Sequence, residues 1–183
     1  MTAPPLTRLG AVTVADFMRT TWQKRPRLIR RALIEPTPVT AADLFALAAR
    51  NDVGARLVTA FGGRWRLQHG PFARMPGAKR KGWTLLVQGV DLYLSQVASL
   101  RERFRFISDA RLDDVMVSYA SDGGGVGPHV DSYDVFLLQA QGRRRWRISR
   151  QRDLALVPGL PLKILADFRA EAEWVLEPGD LLY

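Results

Sequence analysis

Hydrophobic positions divide the chain into two textures. In the first third they fall at helical spacing: Val14, Phe17, Met18 and Trp22 form one such run, which Pro26 ends. Thr40, followed three residues on by Asp43, predicts a capping box that opens a helix over residues 41–50, with Leu44, Leu47 and Ala48 on one face. Gly62 and Gly63 then punctuate the chain. Beyond them, short apolar runs bounded by glycine and proline predict strands over residues 83–87, 115–120, 130–138, 144–148 and 173–176, with one helix over residues 93–104. Many short strands with such turns predict a mainly β sandwich or barrel whose inward positions line a cavity. The expected organisation is a helical lead-in over residues 1–60 and a barrel over residues 61–183, without internal repeat or low-complexity linker. Residues 177–183 read as a turn entering one more strand. A strand over residues 180–183 would leave its partner's hydrogen bonds unmade, so the barrel is expected to be incomplete at this end.

Composition narrows the class. A chain of 183 residues can bury one real core, and 47% apolar with 25% charged residues is a soluble globular balance. The absence of cysteine excludes a disulfide framework and a cysteine-ligated zinc, and fits a reducing compartment. Residues 1–10 lack the apolar core of a secretory signal, and no apolar stretch approaches the length of a membrane span. A cytoplasmic protein without membrane contact is expected. The net charge of +9 and the pI of 10.7 draw a chain towards nucleic acid, ribosomes or anionic membrane without choosing among them. The basic residues gather at 24–31, 79–81 and 143–147, and no stacked aromatic platform alternates with them. Two accounts of them stay open: an arginine-rich bias with acidic residues lying elsewhere, or a surface directed at a nucleoprotein.

Candidate chemistry centres on Gly127-Pro128-His129-Val130-Asp131, where a glycine-rich loop is expected to meet a strand. Residues two apart on a strand share a face, so His129 and Asp131 can reach one point inside a barrel. An imidazole and a carboxylate there are two thirds of the facial triad that leaves open positions on Fe(II). On spacing alone such a pair is as readily a strand-edge histidine bonded to a local carboxylate. The following strand adds context. Alternation puts Arg144, Trp146 and Ile148 on one face and Arg143, Arg145 and Arg147 on the other. If Trp146 and Ile148 face the core, Arg144 must too, and a buried guanidinium needs an anion: an internal carboxylate, or a dicarboxylate co-substrate. The run Gly123-Gly-Gly-Val-Gly127 lacks the Gly-Lys-Ser/Thr ending of a phosphate loop, and is expected to give unusual backbone angles and close approach at the cavity mouth.

The stretch from Ser118 through Gly127-Pro-His-Val-Asp-Ser-Tyr-Asp-Val-Phe136 to Gly142-Arg-Arg-Arg-Trp-Arg-Ile148 resembles the bacterial ribosomal oxygenases. The likeness extends from Trp22-Gln-Lys-Arg-Pro-Arg-Leu-Ile-Arg30 through His69-Gly-Pro-Phe72 and Leu86-Val-Gln88 to Glu177-Pro-Gly-Asp-Leu-Leu-Tyr183. It implies a JmjC/cupin-type double-stranded β-helix, incomplete at the C-terminus, that uses Fe(II), 2-oxoglutarate and O₂. The implied reaction is hydroxylation of a ribosomal-protein side chain, arginine 3-hydroxylation of large-subunit protein sixteen above all. By the same resemblance His129 and Asp131 are iron ligands, while Arg144, assisted by Ser118, binds the distal carboxylate of 2-oxoglutarate. The family's third ligand is a histidine just beyond the tyrosine matched by Tyr183. The 183 residues by themselves are therefore expected to bind iron weakly and to turn over little. The family's homodimerising and winged-helix parts are expected to be missing as well. His69 matches a different motif and is expected to form structural hydrogen bonds or to sit at the substrate mouth, rather than to ligate metal. The rival readings are a cupin metalloenzyme of another class and a non-catalytic, basic ribosome- or RNA-binding module.

Overall fold

The N-terminal helix starts where its sequence provides a cap. In a computed structural model, which describes residues 3–34, 39–77 and 79–183, the Thr13 side chain accepts from the Asp16 amide and opens α1 (Val14–Thr20). A small hairpin, β1 (Arg8–Leu9) with β2 (Val12–Thr13), precedes it, and β3 (Leu28–Ile29) follows. The capping box is present: Thr40 accepts from the Asp43 amide, Asp43 accepts from the Thr40 amide, and α2 runs Ala41–Ala48. As the pattern predicts, Leu44, Leu47 and Ala48 are its buried face.

The part read as a helical lead-in also holds a long strand. Ala55–Phe61 is β4, which pairs in register with β5 (Arg64–His69) through the Gly62-Gly63 turn, both glycines at positive φ. The expected boundary at residue 60 thus falls inside a hairpin, and β4 goes with the sheet. Its alternation of buried and exposed residues was hidden by the apolar run Leu57-Val58, buried on both faces. Next come β6 (Trp83–Val87), α3 (Ser95–Arg103), β7 (Val117–Ala120), β8 (Leu137–Leu138), β9 (Arg144–Ile148), β10 (Ala172–Leu176) and β11 (Leu181–Leu182).

Three sheets besides the β1–β2 hairpin make up the β part of the fold. The largest has the order β5-β4-β6-β7, the second is β3-β11-β8, and the third pairs β9 with β10; every pairing is antiparallel. One face of the four-stranded sheet packs Leu57, Trp83, Leu85 and Val87 on α2 and on Val97 of α3. A second core joins Leu9, Phe17, Ile29, Leu33, Phe104 and Leu181. The fold is mainly β with three α-helices, as the pattern predicts.

Two expectations about strands need correction. Only Leu137 and Leu138 of the stretch 130–138 join a ladder, so the segment carrying His129 and Asp131 is loop, with bends at Ser132 and Tyr133. The final strand is paired on both sides, by β3 and by β8, and Tyr183 and Arg27 exchange two backbone hydrogen bonds of 3.0 Å. The unmade bonds expected there are made. Asp180 secures the turn before it by accepting from the amides of Arg31 and Glu177 and from the Arg30 guanidinium.

Candidate functional site

The register of the four-stranded sheet decides which side chains share its second face. Ser118 on β7 stands opposite Leu86, Leu86 opposite Arg56, and Arg56 opposite His69. Directly paired residues point the same way, so these four form one row across the sheet. Thr84 and Ala120 lie in the next row, and Ala60 and Trp65 in the one beyond. The face is therefore polar at Ser118 and Thr84. The Thr84 hydroxyl is buried, with Gly124 packed over it, and has no partner among the described residues.

Arg144 reaches this face from the opposite ladder. Along β9, Arg144, Trp146 and Ile148 are half-buried while Arg145 and Arg147 are exposed, so alternation turns Arg144 inward as expected. Its Nη1 donates to Ser118 Oγ at 2.8 Å. Among the described residues no carboxylate pairs with it, and burial pushes its pKa below the ordinary arginine value. Leaving a buried guanidinium without an anion costs several kcal/mol. The arrangement suits a planar carboxylate that takes two parallel bonds from the guanidinium and one from Ser118.

The glycine run behaves as predicted. Gly123 and Gly127 have φ of 67° and 77°, and a side chain at Gly124 or Gly127 would collide with its neighbours. Gly127 sits against Ile164 and the Trp65 ring, and Trp65 belongs to the same sheet face as Ser118. The Gly127 carbonyl lies 2.9 Å from His129 Nδ1. With Nδ1–H donating there, the Nε2 lone pair is free. Nε2 lies 3.5 Å from Asp131 Oδ2, both side chains partly exposed. Two donors each about 2.1 Å from one ion stand roughly 3–4 Å apart, so the pair fits a shared metal. His129 and Asp131 converge although the strand expected to align them is absent. No cluster of three or more His, Cys, Asp or Glu that could hold a metal occurs among the described residues.

His69 is placed elsewhere. It ends β5, four residues beyond Trp65 on the same face, roughly 13 Å along the strand and towards the end of the sheet away from Gly127. Its neighbours there are Arg56 and Gln88, which share a 3.3 Å hydrogen bond in an open cleft.

One group escaped sequence reasoning. Tyr183 Oη donates to Asp134 Oδ1 at 2.6 Å and accepts from the Gln23 amide at 2.8 Å. Burial and the neighbouring Asp134 push the phenol pKa up to about 12, so it stays a proton donor. The available signal was Asp134 itself, a carboxylate inside the apolar run Tyr133–Leu138.

Comparison with known proteins gives this geometry a context. Residues 99–183 match the family described as JmjC domain. The chain is 40% identical over 170 residues to the ribosomal protein uL16 3-hydroxylase of Escherichia coli, a match covering 92% of this chain and 46% of that protein. The solved structure of Escherichia coli YcfD superposes with a TM-score of 0.90 at 37% identity, covering 97% of this chain and 48% of that one. YcfD described as a ribosomal oxygenase in complex with cobalt and 2-oxoglutarate matches with a TM-score of 0.80 at 39% identity, over 96% and 46% of the two chains. The chain thus spans about half the length of the relatives it matches. Residues 99–183 are thus similar to the JmjC domain family, within a chain that shares the fold and much of the sequence of a bacterial ribosomal oxygenase.

Proposed function

We propose that this chain is the iron- and 2-oxoglutarate-binding part of a ribosomal-protein hydroxylase that places a hydroxyl on the β-carbon of an arginine in uL16. His129 Nε2 and the Asp131 carboxylate hold Fe(II); Arg144 and Ser118 hold the far carboxylate of 2-oxoglutarate. Bound together, Fe(II) and 2-oxoglutarate supply the activation of O₂ that an unactivated C–H bond requires. The protein's own groups orient and protect. The Gly127 carbonyl fixes the His129 tautomer and ring plane, and the short Gly127 contact with Trp65 and Ile164 sets the height of the loop over the sheet. Arg144 neutralises the co-substrate's buried charge, while Trp146 and Ile148 on the same face keep water from it. We also assign residues 55–183 to the barrel and the preceding segment to the lead-in packed on it.

The observation that carries this reading is the inward Arg144, bonded to Ser118 and to no carboxylate among the described residues. A cupin of another reaction class gives that cation nothing to hold, and a purely RNA-binding module gives no reason to bury it. The uL16 3-hydroxylase and the cobalt–2-oxoglutarate complex among the similar proteins support the choice of substrate and co-substrate. Mass spectrometry of uL16 incubated in air with the chain, Fe(II) and 2-oxoglutarate tests it. Two converging protein donors predict slow turnover, the added oxygen on arginine, and no product from the His129→Ala or Arg144→Ala chain. Oxygen on another residue type, or equal yield from the His129→Ala chain, would contradict the reading.

A further inference from the structure

If His129 and Asp131 hold a metal, something must hold them, and it is not a β-ladder. Between residues 129 and 135 the chain makes no backbone–backbone hydrogen bond among the described residues; the nearest is Pro128, whose carbonyl accepts from the Leu165 amide. On the far side of Asp131, the first firm attachments are Asp134 and Phe136. The Phe136 ring lies 5.1–6.1 Å from the rings of Phe104, Tyr183, Phe17 and Trp22. Asp134 accepts from Tyr183 Oη at 2.6 Å and, at 3.4 Å, from Gln23 Nε2. Gln23 is committed too: at a φ of 53° it turns the chain after α1 so that its amide donates to the same Tyr183 oxygen at 2.8 Å.

We propose that Tyr183, Asp134 and Gln23 form a latch that positions the Asp131 carboxylate for metal binding. The three residues come from just after β11, from the ligand loop and from the turn after α1, so the latch ties two segments distant in sequence to the loop between. Asp134 lies three residues from Asp131, and with only Ser132 and Tyr133 between them a displacement of one carboxylate carries the other with it. Within the latch the phenol oxygen is central: it accepts a hydrogen bond from the Gln23 backbone N–H and donates one to Asp134. Tyr183→Phe removes both bonds and leaves the ring packing against Phe17 and Phe136 intact. This inference rests on the metal reading of His129 and Asp131 and makes Tyr183 a positioning residue, remote from substrate and metal.

Anaerobic titration of the chain with Co(II) in the presence of 2-oxoglutarate, followed by the metal's visible absorption, tests it. Losing a partner that orients a ligand weakens metal binding about tenfold or more. That loss is expected for Tyr183→Phe and Asp134→Ala, whereas Asp134→Asn, whose amide oxygen still accepts the phenol proton, stays close to native. Amide hydrogen exchange adds a readout independent of metal: in Tyr183→Phe the Gln23 amide, which donates to the phenol oxygen, should exchange faster while those of β11 and β8 keep their protection. Native affinity in Tyr183→Phe, when His129→Ala has lost it, would overturn the latch and leave the metal site standing. Unchanged affinity in His129→Ala would instead remove the metal reading on which the latch depends. Faster exchange throughout the three-stranded sheet of Tyr183→Phe would show that Tyr183 only stabilises the fold, and would also overturn the proposal.

Discussion

Arg144 was readable because a strand's period is two: once Trp146 and Ile148 face inward, Arg144 has no other direction. Its partner was less so, since Ser118 comes to it from a separate sheet and only the three-dimensional pairing brings the two within 2.8 Å. Arg144→Lys tests the geometry of that grip. A lysine keeps the charge but donates as a point, so 2-oxoglutarate should bind about tenfold more weakly, the cost of roughly 1.4 kcal/mol from lost parallel hydrogen bonding. Calorimetric titration measures it. Gly127 offers a second test at this scale. A side chain there meets both a φ of 77° and the Ile164 and Trp65 contacts, so Gly127→Ala should lift the loop and weaken Co(II) binding. The backbone strain alone is about 1–2 kcal/mol. Tyr183 and Asp134 were not legible, because a hydrogen bond across 49 positions leaves no periodic trace in either segment.

Helix α2 was legible nearly residue by residue, since Thr40 and Asp43 form a local motif and its buried face has a local period. Strands β6 and β9 match their predicted bounds for the same reason. The segment around Asp131 was misread: Val130, Tyr133, Val135 and Phe136 look like a core strand, but Val130 and Tyr133 are exposed and of these four only Phe136 reaches the aromatic core. Hydrophobicity there reflects one anchor and an exposed rim, which composition cannot separate. The turn into β11 was read as an unfinished edge, yet Asp180 gathers three donors and the strand is paired on both sides. Burial raises the Asp180 pKa, but the Glu177 and Arg31 amides and the Arg30 guanidinium outweigh it and leave the carboxyl below its ordinary range. A folded-state pKa below the unfolded one stabilises above the ordinary carboxylate range, and that contribution disappears as pH falls through the depressed value. Asp180→Asn should therefore lower stability near neutral pH by about 1–3 kcal/mol and flatten the loss on acidification, as followed by urea unfolding at several pH values.

For the whole molecule, the charge of +9 suggested a nucleic-acid partner more strongly than the structure does. Arg27, Arg30, Lys81, Arg105 and Arg145 each pair with a carboxylate, so part of the basic composition is committed to ion pairs within the fold. What remains can draw the chain towards a ribosome's phosphates by long-range field, an effect that should fade with added salt while the chemistry at His129 does not. The functional claim rests instead on two sets of groups: His129 with Asp131, on the loop whose Gly127 sits against Trp65, and Arg144 bonded to Ser118 on the sheet face that Trp65 shares. No helix among the described residues is long and apolar enough to cross a membrane. The most direct test of the account is the affinity of the chain for 2-oxoglutarate, titrated anaerobically with Co(II) in the native protein and in Arg144→Ala. The account predicts saturable binding in the first and a loss of tenfold or more, about 1.4 kcal/mol, in the second. Equal affinity in the two would mean that Arg144 holds no co-substrate, and would contradict it.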